Sequence, residues 1–132
     1  MVYMKLNNII NRIKQINSNI IMFIGSFDDN NNKTGYWEYY FSNGNLEWKG
    51  NYVNGKRHGY WEEYHYNGNL DSKGQYVNGN QDGYWEEYWA NGGIYSKGNF
   101  VNGKADGYWE DYNYEGNIRR KGNYINGIFN EL

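Results

Sequence analysis

Hydrophobic positions along this chain are set by aromatic rings more than by aliphatic side chains, and the rings keep a period. GYWE begins at residues 35, 59, 83 and 107, so Trp37, Trp61, Trp85 and Trp109 stand 24 residues apart. The copies read GYWEYYFSNGNLEWKGNYVNGKRH (35–58), GYWEEYHYNGNLDSKGQYVNGNQD (59–82), GYWEEYWANGGIYSKGNFVNGKAD (83–106) and GYWEDYNYEGNIRRKGNYINGIFN (107–130). IGSF at 24–27 matches KGNY at 49–52 and marks a partial copy over 21–34. A fixed period of this length signals a repeat architecture, in which each unit buries its apolar face against its neighbours.

Within a copy, Tyr, Trp and Phe alternate with polar residues, and the alternation is broken twice by Asn-Gly, once only in the last copy, where Glu115-Gly116 takes the first place. Rings are good strand formers and Asn-Gly is a strong hairpin signal, so each copy is expected to form two strands. A type I′ turn at Asn67-Gly68 would face His65 with Leu70, Glu62 with Lys73 and Trp61 with Gly74. The same register sets Glu38, Glu62, Glu86 and Glu110 opposite Lys49, Lys73, Lys97 and Lys121. It also sets each repeat Trp opposite a Gly, which leaves room for an indole to lie flat. A four-residue loop over Asn54 to Arg57 would then place Gly50 opposite Trp61 and Tyr52 opposite Gly59.

The expected fold is all-β: an elongated single-layer antiparallel meander of 24-residue hairpins, with eight strands from the four copies and one from residues 20–27. Before it, Leu6, Ile9, Ile10, Ile13 and Ile16 follow helical spacing. They predict a short N-terminal helix near residues 5–17 that caps the sheet. The domains are thus a capping helix at 1–20 and a repeat domain at 21–132. At the other end the strand from Lys121 to Ile125 is expected as an exposed edge, able to pair with a second copy in a homodimer.

Strand alternation sorts the side chains onto two faces. Trp61, Leu70, Gly74 and Tyr76 fall on one, with Glu63, His65 and Ser72 among them; Tyr60, Glu62, Tyr64 and Lys73 fall on the other. On the Trp face the ring positions repeat while the residues between them change. The candidate partner-binding residues are therefore Tyr39, Phe41 and Trp48, then Glu63 and His65, then Glu87 and Trp89, then Asp111 and Arg120. Trp48 and Trp89 stand where other copies carry Ser, Arg, His, Phe or Asn, so the scaffold itself does not call for an indole there.

Composition narrows the reading further. Sixteen Tyr, six Trp and five Phe supply the apolar surface, so the core is expected to be aromatic. A net charge of −2 gives no long-range attraction to nucleic acid or to anionic membranes. The chain has no Cys, which removes disulfides and thiolate chemistry. The N-terminus lacks the continuous apolar stretch of a signal peptide, and a cytoplasmic protein is expected.

Catalytic constellations are missing. His58 and His65 do not recur in other copies, and no Ser or Asp is placed to complete a relay. Neighbouring acids such as Glu62-Glu63 point to opposite faces, which leaves Glu63, Glu87 and Asp111 as an acidic row. Asp28, Asn30 and Asn32 alternate as in a calcium loop, but Lys33 stands where Gly is needed and Tyr39 where the bidentate Glu belongs. No metal, cofactor or enzymatic activity is expected.

The G-x-W-x-x-Y-x-x-x-G-x-L/I core followed by K-G-x-Y-V/I-N-G resembles MORN repeats, and is similar to the variant in bacterial antitoxin and immunity proteins. The resemblance covers residues 24–130. It implies a non-enzymatic scaffold that holds a helix or extended peptide of a partner along its aromatic face, and for the antitoxin variant the neutralising of a toxin. The acidic row would suit a basic partner, such as a nucleic-acid-cleaving toxin. Two other readings are carried forward: a binder of a nucleotide or sugar stacked between rings, and a lipid-associated scaffold, which the family also implies.

Overall fold

Every copy folds as a pair of strands because its rings and β-branched residues sit on alternate positions between left-handed turn residues. The computed structural model of the protein describes residues 13–15 and 21–132, with side chains from Phe23 onward. The strands are β1 (Ile13–Gln15), β2 (Ile21–Phe27), β3 (Lys33–Tyr40), β4 (Leu46–Val53), β5 (Lys56–Tyr64), β6 (Leu70–Val77), β7 (Asn80–Tyr88), β8 (Ile94–Val101), β9 (Lys104–Tyr112), β10 (Ile118–Ile125) and β11 (Ile128–Glu131). They form one 11-stranded sheet whose spatial order is the chain order, so every connection is a hairpin. The expected antiparallel meander is the observed one.

Both ends differ from expectation. Ile13–Gln15 is not helical: it pairs antiparallel with β2 through Ile13↔Ile24 and Gln15↔Ile21. An open edge on β2 offers unpaired backbone groups, and β-branched Ile13 is compatible with filling it. The remainder of the expected capping helix lies outside the described residues. At the other end the strand from Lys121 to Ile125 is not an edge. Ile128–Glu131, past the tight turn at Asn126-Gly127, pairs with it from Gly122↔Glu131 to Ile125↔Ile128, so β11 is the edge strand among the described residues.

The two Asn-Gly turns have exchanged roles. The tight two-residue turn is the second one: Val53 pairs with Lys56, and Asn54 and Gly55 both have positive φ, 50° and 73°. That is type I′ geometry, and Asn recurs there at 54, 78, 102 and 126. At the first turn only Gly68 is left-handed. The Gly68 N–H donates to the His65 carbonyl at 2.8 Å and the His65 N–H to the Asn69 carbonyl at 2.8 Å, which makes a longer loop. Asn67 uses its side chain instead: Oδ1 accepts from the Asn69 N–H, and Nδ2 donates to the Ala90 carbonyl of the next copy. Because of the longer loop the register shifts, and Leu70 pairs with Tyr64 rather than with His65. Leu70 therefore joins the Tyr64 face, not the Trp face.

A second shift lies between copies. Lys49 pairs with Glu62, but two residues later Asn51 pairs with His58, and Tyr52 faces Arg57 rather than Gly59. The surplus is taken up near Gly59, whose φ of +74° bends β5 at a bulge. The indole of Trp61 fills the interruption. Its Nε1–H donates to the Asn51 carbonyl at 3.1 Å, and Trp85 and Trp109 do the same to Gln75 and Asn99 at 3.1 Å.

These indoles make the core. Each Trp pairs in register with the Gly of its own hairpin, yet its ring lies over the Gly of the preceding copy. Cβ atoms built on Gly25, Gly50, Gly74 and Gly98 would lie 2.1 to 2.3 Å from the rings of Trp37, Trp61, Trp85 and Trp109. Relative exposures of 1%, 0%, 1% and 6% show how fully those rings are covered, although among the described residues no second layer packs on the sheet. Cover comes from neighbours in the row: Trp37, Tyr52, Trp61, Tyr76, Trp85, Phe100, Trp109, Tyr124 and Phe129 follow one another at centroid distances of 5.0 to 6.3 Å, mostly edge to face.

Gly74→Ala therefore pushes a methyl group into the buried indole of Trp85. It is expected to lower stability by about 1–3 kcal/mol, the usual cost of overpacking, and to shift Trp fluorescence to the red. Urea denaturation of the variant checks this; a wild-type midpoint would contradict the contact.

Candidate functional site

The Trp face is a row of slots, one per repeat, each built by three positions. Residues 33, 57, 81 and 105 precede the repeat Trp by four. Each stands near the start of a strand, residues 57, 81 and 105 just past a type I′ turn and residue 33 just past the loop at 28–32. Residues 39, 63, 87 and 111 follow that Trp by two, and residues 48, 72, 96 and 120 stand opposite them on the neighbouring strand.

In the first slot Lys33 Nζ lies 4.8, 5.0 and 5.0 Å from the ring centres of Trp37, Trp48 and Tyr52. Burial first, and then the charge of Arg57, hold its ammonium below the usual lysine range. Tyr39 stacks on Trp48 at 5.3 Å, and Trp48 in turn lies 5.3 Å from Trp61. In the second slot the Arg57 guanidinium sits 4.5 Å over Trp61 and 5.2 Å from Tyr76. It donates to the Glu63 carboxylate and to the Tyr76 hydroxyl.

The third slot has Gln81 at the cation position and Glu87 at the acid position. Glu87 pairs in register with Ser72 on one side and Ser96 on the other, both small. Burial first, then the charges of Asp71 and Asp111, push its carboxyl up. In the fourth slot Ala105 replaces the cation. Asp111, only 6% exposed, accepts from the Ser96 hydroxyl at 2.7 Å and from Arg120, whose guanidinium lies 4.5 Å over Phe129.

Phe41, His65 and Trp89 are placed elsewhere, at the first-turn end of the sheet. Each reaches into the following copy. Phe41 meets Tyr66 edge on at 5.3 Å, and His65 Nε2 lies 2.8 Å from the Tyr88 carbonyl and 3.2 Å from Asp71. The Trp89 indole N–H donates to the Tyr112 carbonyl at 3.3 Å. Tyr39, Trp48, Glu63, Glu87, Asp111 and Arg120 thus share the Trp face, and the other three form a separate row. The sequence reading missed Lys33 and Arg57. Placing Asn54 to Arg57 in a loop hid Arg57, although strand alternation counted back from Trp61 would have set residue 57 beside it.

The opposite face carries a repeating ladder. Glu62 lies between the hydroxyls of Tyr60 and Tyr64 on its own strand, and Lys49 of the preceding copy reaches it at 2.6 Å. Lys73–Glu86 and Lys97–Glu110 repeat the contact at 2.7 and 2.8 Å. Glu and Lys stand opposite each other within every hairpin as expected, but the ion pairs run between copies and tie each repeat to the next. Hydrogen bonds from Lys97, Tyr112 and Tyr108 hold the Glu110 carboxyl down to about 2. Burial, and then the hydrogen bond to Glu38, push the Tyr36 and Tyr40 hydroxyls up to about 12. Asp28 is occupied by its own loop, accepting from the N–H groups of Asn30 and Asn32 at 3.0 and 2.8 Å.

The signs of these shifts set the pH range of greatest stability. A depressed carboxyl contributes above its unfolded value of 4.5 and loses that contribution as pH falls toward about 2. A raised phenol contributes below its unfolded value of 10 and loses that contribution as pH rises toward about 12. Urea midpoints are expected to be level near neutrality and to fall on both sides, and Glu110→Gln should flatten the acid limb between 4.5 and about 2. An acid limb unchanged in that variant would contradict the assignment.

Among the described residues no helix is long and apolar enough to cross a membrane, and no group of three or more His, Cys, Asp or Glu could hold a metal ion. A family model described as a MORN repeat variant matches residues 33–54, 57–78, 81–102 and 105–126. Each match covers one hairpin and ends on the Asn of the tight turn. A search of curated proteins finds no match. MORN repeats are in general modules that bind proteins or membrane lipids. With four consecutive hairpins matched across most of its sheet, the chain belongs to the MORN repeat variant family.

Proposed function

We propose that this chain is a non-catalytic protein-binding module of the antitoxin or immunity type, which blocks a partner by covering it with the Trp face. One observation carries the reading. A constant indole-on-glycine spine supports side chains that change from slot to slot on the same face: Tyr39 and Trp48, Glu63, Glu87, then Asp111 and Arg120. Such a surface gives one partner several distinct anchors at fixed spacing, with Trp, Tyr and Arg as the residue types that dominate binding energies.

Two depressions in the sheet do not favour a stacked small ligand. One is lined by Ile24, Gly25, Ser26, Thr34, Gly35 and Tyr36, the other by Val101, Lys104, Ala105, Asp106, Asn126 and Gly127, with a single aromatic side chain between them. On the Trp face Lys33, Arg57 and Arg120 balance Glu63, Glu87 and Asp111, so the face has no net positive patch to draw it to an anionic lipid surface.

The test is isolation of a stoichiometric partner from the native host, followed by reconstitution from purified components. The partner is expected to arrest growth when expressed alone and to lose that effect with this chain. Recovery of no such complex would overturn the reading. Within the complex, Trp48→Ala is expected to weaken binding by on the order of 2 kcal/mol, a hot-spot magnitude, measured by calorimetry. Trp85→Ala is expected to cost roughly 3–5 kcal/mol of stability instead. A Trp48→Ala protein that binds as wild type would remove Trp48 from the interface.

A further inference from the structure

The slots differ in how their acid is neutralised, and that difference identifies one that is incomplete. Glu63 is held by Arg57 of its own slot, Asp111 by Arg120, and Asp71 lies beside His65. Glu87 has neither an ion pair nor a side-chain hydrogen bond among the described residues. It is nonetheless half-buried, and burial together with Asp71 and Asp111 disfavours its charge. A carboxylate in that position is stabilised by a cation brought from outside.

The chain itself shows which cation fits. The second and third slots have the same strand register, 24 residues apart. The second holds a guanidinium against Trp61 and Tyr76 with its N–H groups on Glu63. The third repeats the rings with Trp85 and Phe100 and repeats the acid with Glu87, but carries uncharged Gln81 in place of the arginine. Ser72 and Ser96 flank Glu87, where the first slot has the bulk of Trp48. Phe100 for Tyr76 removes one hydroxyl acceptor and keeps the ring. A planar guanidinium can stack on such rings while bonding a carboxylate, which a lysine ammonium does less well.

We infer that the third repeat is a receptor for one arginine side chain of the protein partner, formed by Glu87 and the rings of Trp85 and Phe100, with the chain's own Arg57 showing the same contact one repeat earlier. The inference rests on the protein-binding reading above. It adds the chemistry of the central contact: the partner presents an arginine on the surface it loses to this chain, and that arginine displaces the uncharged Gln81 side chain to reach Trp85, which is 1% exposed before it binds.

The probe is an acetylated, amidated pentapeptide with one arginine among Gly and Ser, titrated against the full chain by NMR, with its citrulline counterpart as control. A single contact of this kind corresponds to roughly millimolar affinity. The arginine peptide is expected to shift the Trp85 indole N–H saturably, and the citrulline peptide is expected not to. Glu87→Gln should weaken binding about tenfold or more, and Gln81→Arg should abolish it by filling the slot from within. Arg57→Ala should open a second site, seen at the Trp61 indole. Equal shifts with both peptides, or unchanged binding in Gln81→Arg, would overturn the inference. A natural partner that binds wild type and Gln81→Arg alike would overturn it as well and leave the protein-binding reading in place; the absence of any partner would overturn the reading beneath it.

Discussion

The indole laid across the glycine of the preceding repeat is the contact on which the sheet depends. A single-layer sheet has no opposing layer to cover its apolar side chains, and lone hairpins are marginal in water. Here each Trp closes over a neighbouring backbone that carries no Cβ, and gives its N–H to a carbonyl where the ladder is interrupted by a bulge. Burial and hydrogen-bond satisfaction thus come from the same ring. Because the contact always runs to the previous copy, as do the Lys–Glu pairs on the other face, stability accrues between repeats rather than within them.

That arrangement frees the rest of the Trp face. Once the spine is fixed, positions 57, 63 and 72 and their counterparts can vary without disturbing it, and the slots show the variation in use: Lys33 among three rings, Arg57 with Glu63, Asp111 with Arg120, and Glu87 alone. A chain with so few aliphatic residues after its first strands gains specificity from charges set against rings. The exposed tyrosines of the opposite face are tied to a uniform Glu–Lys ladder and offer no comparable variety.

Much of this was legible in the sequence. The period, the strand pairs, the Trp–Gly register and the division into two faces follow from alternation and from the spacing of Trp and Gly. The errors came where two local signals were identical. Both turns contain Asn-Gly, and only Glu115 in the last copy betrays that the first turn does not require a left-handed Asn. Reversing the two turn types moved Leu70 across the sheet and concealed Arg57 in a supposed loop. The partner strand of an ion pair was equally undetermined, since Lys49 stands between Glu38 and Glu62 and pairing alone favours neither. At the N-terminus, isoleucines at helical spacing also suit a strand, and an unpaired edge decides for the strand at Ile13–Gln15.

Native-state hydrogen exchange of the indole N–H groups tests the central contact most directly. If the four spine indoles bridge to the preceding repeat, the N–H protons of Trp37, Trp61, Trp85 and Trp109 exchange only through cooperative unfolding, as slowly as the most protected strand amides. The Trp48 indole, half-buried and without a hydrogen-bond acceptor among the described residues, should exchange much faster. Spine protons that exchange as quickly as that of Trp48 would contradict the account.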